Sequence, residues 1–406
     1  MPTLMEKPEV VSIKFAAPHD KSVTEALDMI TCEYPPQTGG IADYSREIAA
    51  GLSRAGIPVR IWAPGNEERA TRVCSRVTVV RSLGRFGLLS LVRTAQKMRR
   101  AGAGRRLLLQ WEPVGYGFLS VNVLFCLWIA WQTLWGAQLI VMFHETFLSY
   151  SKKTPKRFAA ATLQRLMAFL LVQSARKVFV STASGTAAVR KLSFARDKVE
   201  HLPVFSNIES GPDSSTRIRR WNFVSEGETL VGHFGRYNSQ TEALVIPTLE
   251  ILLRRSKSVH VLFAGECADA YRKTLIEKHP ELKHRVHSAG VCTPVEVSSI
   301  FAACDFMFQP YPDGITTRRS TAMAALANGC FFVSNKGAAS EELWQETAAV
   351  HLLRGRTPDE QAREMDSIAR SRERIARGAE QAVEFYHRHF SFERTLSALS
   401  TCLQSL

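Results

Sequence analysis

Gly39 and Gly40 stand where a short apolar run gives way to a helix-forming one. The run is Met29 to Cys32, and the segment Tyr34-Pro35-Pro36-Gln37-Thr38-Gly39-Gly40 follows it. Beyond it, Ile41, Tyr44, Ile48 and Leu52 are spaced for one helical face, and Gly56 and Pro58 close the pattern. Glycine lets backbone come close to a ligand, and the N–H groups of a helix start attract anions. A phosphate is the candidate ligand; a tight strand-to-helix turn is the competing reading. Asp43 falls in the first turn of this helix, where it either holds a hydroxyl group or acts as a favourable charge. Two more groups end apolar runs: His144, with Glu145 beside it, after Leu139–Phe143, and Glu112 after Leu107–Trp111. Open α/β sheets bind ligands at the carboxyl ends of their strands. Gly235 and Arg236 likewise follow the run Leu230 to Phe234, although a solvated arginine is the plain alternative. Arg318 and Arg319 open an expected helix Thr317–Ala327, where dipole and guanidinium both favour an anion. An exposed first turn is the alternative there.

The elements that must position these residues alternate along the chain. Strands are expected at Ala26–Cys32, Pro58–Ala63, Arg76–Val80, Leu107–Trp111, Gln138–Phe143 and Lys177–Ser181. A polar stretch, Ser206 to Glu228, reads as a linker. The alternation resumes with Thr229–Phe234, Val259–Ala264, Arg285–Ser288, Asp305–Gln309 and Cys330–Ser334, with a capping box at Thr293-Pro294-Val295-Glu296. Strands alternating with helices imply parallel α/β sheets. The expected domains are an N-terminal extension (1–24), a Rossmann-like domain (25–208), a linker (209–228), a second Rossmann-like domain (229–385) and a C-terminal helix (386–406) returning to the first. Val11–Ala16 is either an extra edge strand or part of a poorly ordered extension.

Composition narrows the class. With 406 residues, 22% charged and 45% hydrophobic, the chain is an ordinary globular protein of two or three domains. Its eight cysteines form no CxxC pair and no zinc-like cluster, so reduced core thiols and no metal are expected. Met1 to Val10 lacks the pattern of a secretory signal, which implies a cytoplasmic setting. The net charge is +14. Basic residues gather at Arg93, Lys97, Arg99, Arg100, Arg105 and Arg106, after Leu88, Leu91, Val92 and Ala95, and again at Lys152, Lys153, Lys156 and Arg157. The first group reads as a basic amphipathic helix suited to an anionic membrane surface, or as a solvated face. Leu119–Trp135 is very apolar but short for a bilayer span, so a helix packed on the sheet is expected. No nucleic-acid motif accompanies the charge.

The glycine-pair segment, the Leu230–Arg236 segment and the region from Pro310-Tyr311-Pro312-Asp313-Gly314 through Gly329 together resemble GT-B glycosyltransferases of the retaining, family-four-like group. The likeness runs from about Ala26 to about Leu403. It implies two Rossmann-like domains whose parallel sheets face across a cleft, and sugar transfer from a nucleoside-diphosphate sugar without a metal or other cofactor. It implies that Arg236 binds the donor diphosphate and that His144 approaches donor and acceptor. The family's lysine a few residues after that arginine is missing here, and Arg318 and Arg319 are the candidates to replace it. Of two family glutamates eight residues apart, Asp313 holds the first position and Thr321 the second. Expected partners are a nucleotide sugar, a glycan or lipid-linked acceptor and an anionic membrane surface, in polysaccharide or glycolipid assembly. The alternatives are a degenerate transferase that binds without turnover and, with no motif behind it, a nucleotide-sugar epimerase.

Overall fold

A computed structural model describes residues 26–67, 70–102, 105–117, 120–150, 154–208, 223–235, 237 and 239–405. The expected extension (1–24), most of the linker, Arg236, Lys152 and Lys153 lie outside the described residues. The chain forms two compact units. One comprises Met1–Pro203 with Thr395–Leu406, the other Val204–Arg394.

The first unit runs β1 (Leu27–Ile30), α1 (Gly40–Arg54), β2 (Val59–Ala63), β3 (Thr71–Cys74), β4 (Val77–Arg81), α2 (Leu88–Arg100), β5 (Arg106–Trp111), α3 (Val123–Leu134), β6 (Gln138–Phe143), α4 (Pro155–Ser174), β7 (Lys177–Val180), α5 (Ala183–Arg190) and β8 (Val199–His201). Its sheet has the order β3-β4-β2-β1-β5-β6-β7-β8. All pairings are parallel except β3 with β4. Helices on its faces bury the strands from both sides, which is why β6 reads as an apolar run from Leu139 to Phe143. Asp28 is the exception within β1. It is fully buried, and accepts bonds from Arg60 Nε and Trp62 Nε1, each at 2.7 Å. Helix α1 buries Ile41, Tyr44, Ile48 and Leu52, the residues whose spacing predicts it. An aromatic column fills the core under β5, with Trp111 on Tyr116 (5.2 Å) and Tyr116 on Phe125 (4.5 Å).

The second unit runs β9 (Thr229–Phe234), α6 (Ser239–Arg255), β10 (Val259–Ala264), α7 (Ala268–Lys278), β11 (Val286–Gly290), α8 (Pro294–Ala303), β12 (Phe306–Phe308), α9 (Ser320–Ala327), β13 (Phe331–Asn335), β14 (Val350–Leu353), α10 (Pro358–Ala369) and α11 (Arg372–Phe390). A last helix, α12 (Phe392–Gln404), follows. The sheet order is β11-β10-β9-β12-β13-β14, all parallel. Thr293 and Glu296 form the capping box expected at the start of α8.

Strands at 138–143, 229–234 and 259–264 have the expected bounds, and the other expected strands differ by one or two residues at one or both ends. Two corrections matter. Strands β3, β8 and β14 have no counterpart among the expected strands. The expected helix Thr317–Ala327 starts only at Ser320, because the Thr317 carbonyl accepts from the Val204 N–H (3.1 Å) and Arg319 is extended (φ −84°, ψ 91°). The Leu119–Trp135 stretch holds the expected packed helix, α3, over 12 residues; it buries Phe125, Cys126 and Ile129 and leaves its other side in solvent. Five of the eight cysteines are buried, and none of the eight forms a disulfide.

Candidate functional site

In the first sheet the strand order reverses between β1 and β5. A doubly wound sheet opens its ligand crevice at the carboxyl ends of such a strand pair. The chain leaving β1 reaches Glu33, whose Oε1 accepts hydrogen bonds from the N–H groups of Ile41 (2.9 Å) and Ala42 (3.0 Å). The anion expected at the start of α1 is therefore, in this structure, the protein's own carboxylate. Gly39 is extended (φ 176°), and a Cβ on it would collide with that carboxylate. Gly40 differs, because a Cβ there would have no atom within 4 Å. Asp43 pairs with Arg46 at 3.3 Å on the outer side of the helix.

His144 leaves β6 with its N–H bonded to the Trp111 carbonyl (2.9 Å) and its own carbonyl accepting from Ser181 Oγ (2.9 Å). Its Nε2–H donates to Gln110 Oε1 at 2.8 Å, and the Tyr44 ring meets it edge-on at 4.7 Å. Burial lowers its pKa to about 3, so the imidazole is neutral at pH 7. This bonding leaves Nδ1 as the acceptor nitrogen. Gln110 is fully buried. Glu112 directly follows β5 near Cys32, and burial first, then the charges of Glu112 and Glu33, push that thiol well up. The sheet edge thus gathers Glu33, Gly39, Gly40, Glu112 and His144, supported by Tyr44 and Gln110. Asp43 faces Arg46 instead.

In the second sheet the order reverses between β9 and β12. Gly235 closes β9 with its N–H on the Ala264 carbonyl (3.1 Å), and a Cβ on Gly265 would collide with the Gly235 carbonyl. The chain after β12 passes through Tyr311 to an exposed Asp313 and a buried Gly314. Gly314 has φ +88°, and a Cβ on it would strike Ser340 Oγ and the Gly337 nitrogen. Its glycine identity is thus demanded by packing and backbone alike. Thr317 is anchored by Glu341 through N–H (2.6 Å) and Oγ1 (2.7 Å), and Trp344 Nε1 donates to the same carboxylate at 3.2 Å. Arg319 takes the N-cap position of α9 with its guanidinium 4.5 Å over the Tyr311 ring. Burial raises the Tyr311 phenol; the Arg319 charge and Thr321 pull it back. Arg318 and Thr321 are half-buried beside them. Lys336, exposed directly after β13, precedes the Gly337 backbone that Gly314 packs on. A pocket of about 90 Å³ beyond the end of β11 is lined by Phe223, Ala289, Cys292, Glu296, Ser299, Ile300 and Ala303.

Sequence reasoning missed Glu33, Tyr44, Gln110, Glu341 and Lys336. Lys336 had a readable signal, a strand-end position; the rest act through contacts made only in the fold. Among the described residues no group of His, Cys, Asp and Glu has a metal-binding arrangement, and no helix is long and apolar enough to cross a membrane.

Comparison with known proteins agrees with this geometry. Residues 38–209 match Glycosyltransferase Family 4. No curated protein matches the sequence. Similar solved structures include a sucrose-phosphate synthase from Thermosynechococcus elongatus, with TM-score 0.72 and 14% identity over 94% of this chain and 99% of that one. HepE of Anabaena in complex with UDP and glucose has TM-score 0.65 and 16% identity over 94% of this chain and 100% of its own. WaaG, a glycosyltransferase involved in lipopolysaccharide biosynthesis, has TM-score 0.61 and 13% identity over 89% and 95%. At these identities the structural likeness carries the fold: two Rossmann-like sheets of the GT-B kind.

Proposed function

We propose that this chain, a GT-B glycosyltransferase of the family-four-like group, moves a sugar from a nucleoside-diphosphate sugar to a glycan or lipid-linked acceptor, with retention and without a metal. The observation that carries the reading is the family-four match, which spans α1 to β8 and so includes Gly39, Gly40, Asp43, Glu112 and His144. UDP and UDP-glucose, bound in the HepE structures, make UDP-sugars the first donors to try. The setting is polysaccharide or glycolipid assembly at the cytoplasmic face of a membrane.

Such a transfer asks mainly for alignment and for stabilisation of the charge building on the departing diphosphate. Arg236, Arg318 and Arg319 supply that charge in this reading, with Lys336 standing in for the absent family lysine. His144, neutral through burial and oriented by Gln110 and Tyr44, offers an uncharged polar edge to the sugar rather than an acid. A second reading, donor binding without turnover, is favoured by Thr321, which stands where the family has a glutamate.

Purified protein assayed with a panel of UDP-sugars should release UDP and transfer sugar to a lipid-linked acceptor. Hydrogen bonds to charged groups are worth about 1.5–3 kcal/mol, so Arg318→Ala and Arg236→Ala should each lower kcat/KM roughly tenfold to a hundredfold. Full activity in both variants refutes the arginine clamp. A thermal shift with a sugar nucleotide but no transfer selects the second reading, and neither shift nor transfer sinks both.

A further inference from the structure

The first unit carries an apolar face that no described part of the chain covers. Helix α3 is apolar on both sides. Its inner side packs into the core, while Leu127, Trp131, Leu134 and Trp135 are 50% to 80% exposed. Trp131 and Trp135 are neighbours at 5.9 Å. Leu88 and Leu89, in the first turn of α2, are exposed as well. Arg99 of α2 lies 5.3 Å over the Trp135 ring, which ties the two helices into one surface. A bare tryptophan pair costs solubility and is uncommon on a monomer's surface.

Charge says what covers it. Between Glu68 and Asp197 the only acidic residues are Glu112 and Glu145, against twenty-one lysines and arginines. Helix α2 has no acidic residue, and it exposes Arg93, Arg99 and Arg100. A face made of tryptophan, leucine and arginine complements a layer whose surface is anionic and whose interior is hydrocarbon. Two copies of this face would set like charges against each other, so self-association fits it poorly.

We propose that the outer side of α3 and the adjoining end of α2 form a docking surface for an anionic lipid bilayer. Trp131, Leu134 and Trp135 enter the boundary between headgroups and acyl chains, and Arg93, Arg99 and Arg100 pair with lipid phosphates. At 12 residues α3 lies in the interface and does not span it. The inference takes from the proposed function only its membrane setting, and vesicle binding is read with no sugar transfer, so the two can fail separately.

The test is flotation of the full chain with phosphatidylcholine vesicles, with and without phosphatidylglycerol. Binding is expected only where phosphatidylglycerol is present, and part of it should survive high salt because apolar side chains are inserted. Arg99→Gln/Arg100→Gln should weaken binding about thirtyfold at low salt. Trp131→Ser/Trp135→Ser should weaken it at least about tenfold without lowering the melting temperature. Brominated lipid should quench tryptophan emission of the unaltered protein, a measurement that depends on no variant. Undiminished binding by the tryptophan variant, equal binding to neutral vesicles, or no quenching overturns the proposal. So does a concentration-dependent dimer, seen by ultracentrifugation and lost in the tryptophan variant, without vesicle binding.

Discussion

The loop through Gly39-Gly40 and the loop through Asp313-Gly314 look alike in sequence, since each sets glycine between a strand and a helix. In the structure they serve different ends. Gly314 is locked: its φ is +88°, and Gly337 and Ser340 occupy the space where a side chain would go. Gly40 is open, with nothing within 4 Å of a Cβ built on it, and Gly39 only makes room for the Glu33 carboxylate. A glycine near a strand end therefore carries two meanings, close packing of backbone on backbone or space left for something else, and only the neighbours separate them.

The largest effect expected from this contrast is at Gly314. A left-handed φ and a backbone collision together put Gly314→Ala at about 3 kcal/mol or more. The second unit should melt markedly earlier in denaturation followed by circular dichroism. A variant with the native melting temperature would mean that the 337–340 loop moves aside freely, and the contrast with Gly40 would collapse.

Glu33 gives the next largest. It supplies the acceptor for two N–H groups at the start of α1, the work of a helix cap. Glu33→Ala should cost about 1–2 kcal/mol of stability in the first unit. Donor affinity, measured by calorimetry, should not change, because in this account the helix start is closed by protein. Tighter donor binding in the variant would show that a phosphate competes for that position, and the first loop would then be a phosphate site masked by its own carboxylate.

How much of this was legible follows from where the information sits. Parallel strands covered on both faces read as apolar runs, so β6, β9 and β10 were bounded correctly from sequence. Strand β3 is mostly exposed, β8 has three residues, and β14 is a four-residue edge strand; none produces a run long enough to stand out. The start of α9 lies later than the pattern suggests because Val204, far upstream, donates to the Thr317 carbonyl that would otherwise accept the first helical bond. His144 was found by its place at a strand end. Its partners Gln110 and Tyr44 were not, since one lies inside a buried strand and the other reads as a core residue of α1. Position at a strand end is visible in sequence; the second layer that holds such a residue is made only by folding.

The smallest stability effect, and the sharpest test of the contrast, is expected at Gly40. It is the first residue of α1, and its Cβ direction points into unoccupied space, so the Cβ of Gly40→Val meets no neighbour in the fold. Glycine is also a poor helix residue, and valine loses little by comparison at a first-turn position. The change in stability should fall within about 0.5 kcal/mol. If the open space is where a substrate approaches the backbone, the valine isopropyl group fills it, and sugar transfer should fall far more than stability does. Measured side by side, a large drop in kcat/KM with an unmoved melting temperature sets Gly40 apart from Gly314 as a ligand-facing glycine. Unchanged transfer would make the pair at 39–40 a turn around Glu33 and nothing more, and the first unit's part of the site would have to rest on His144 and Glu112.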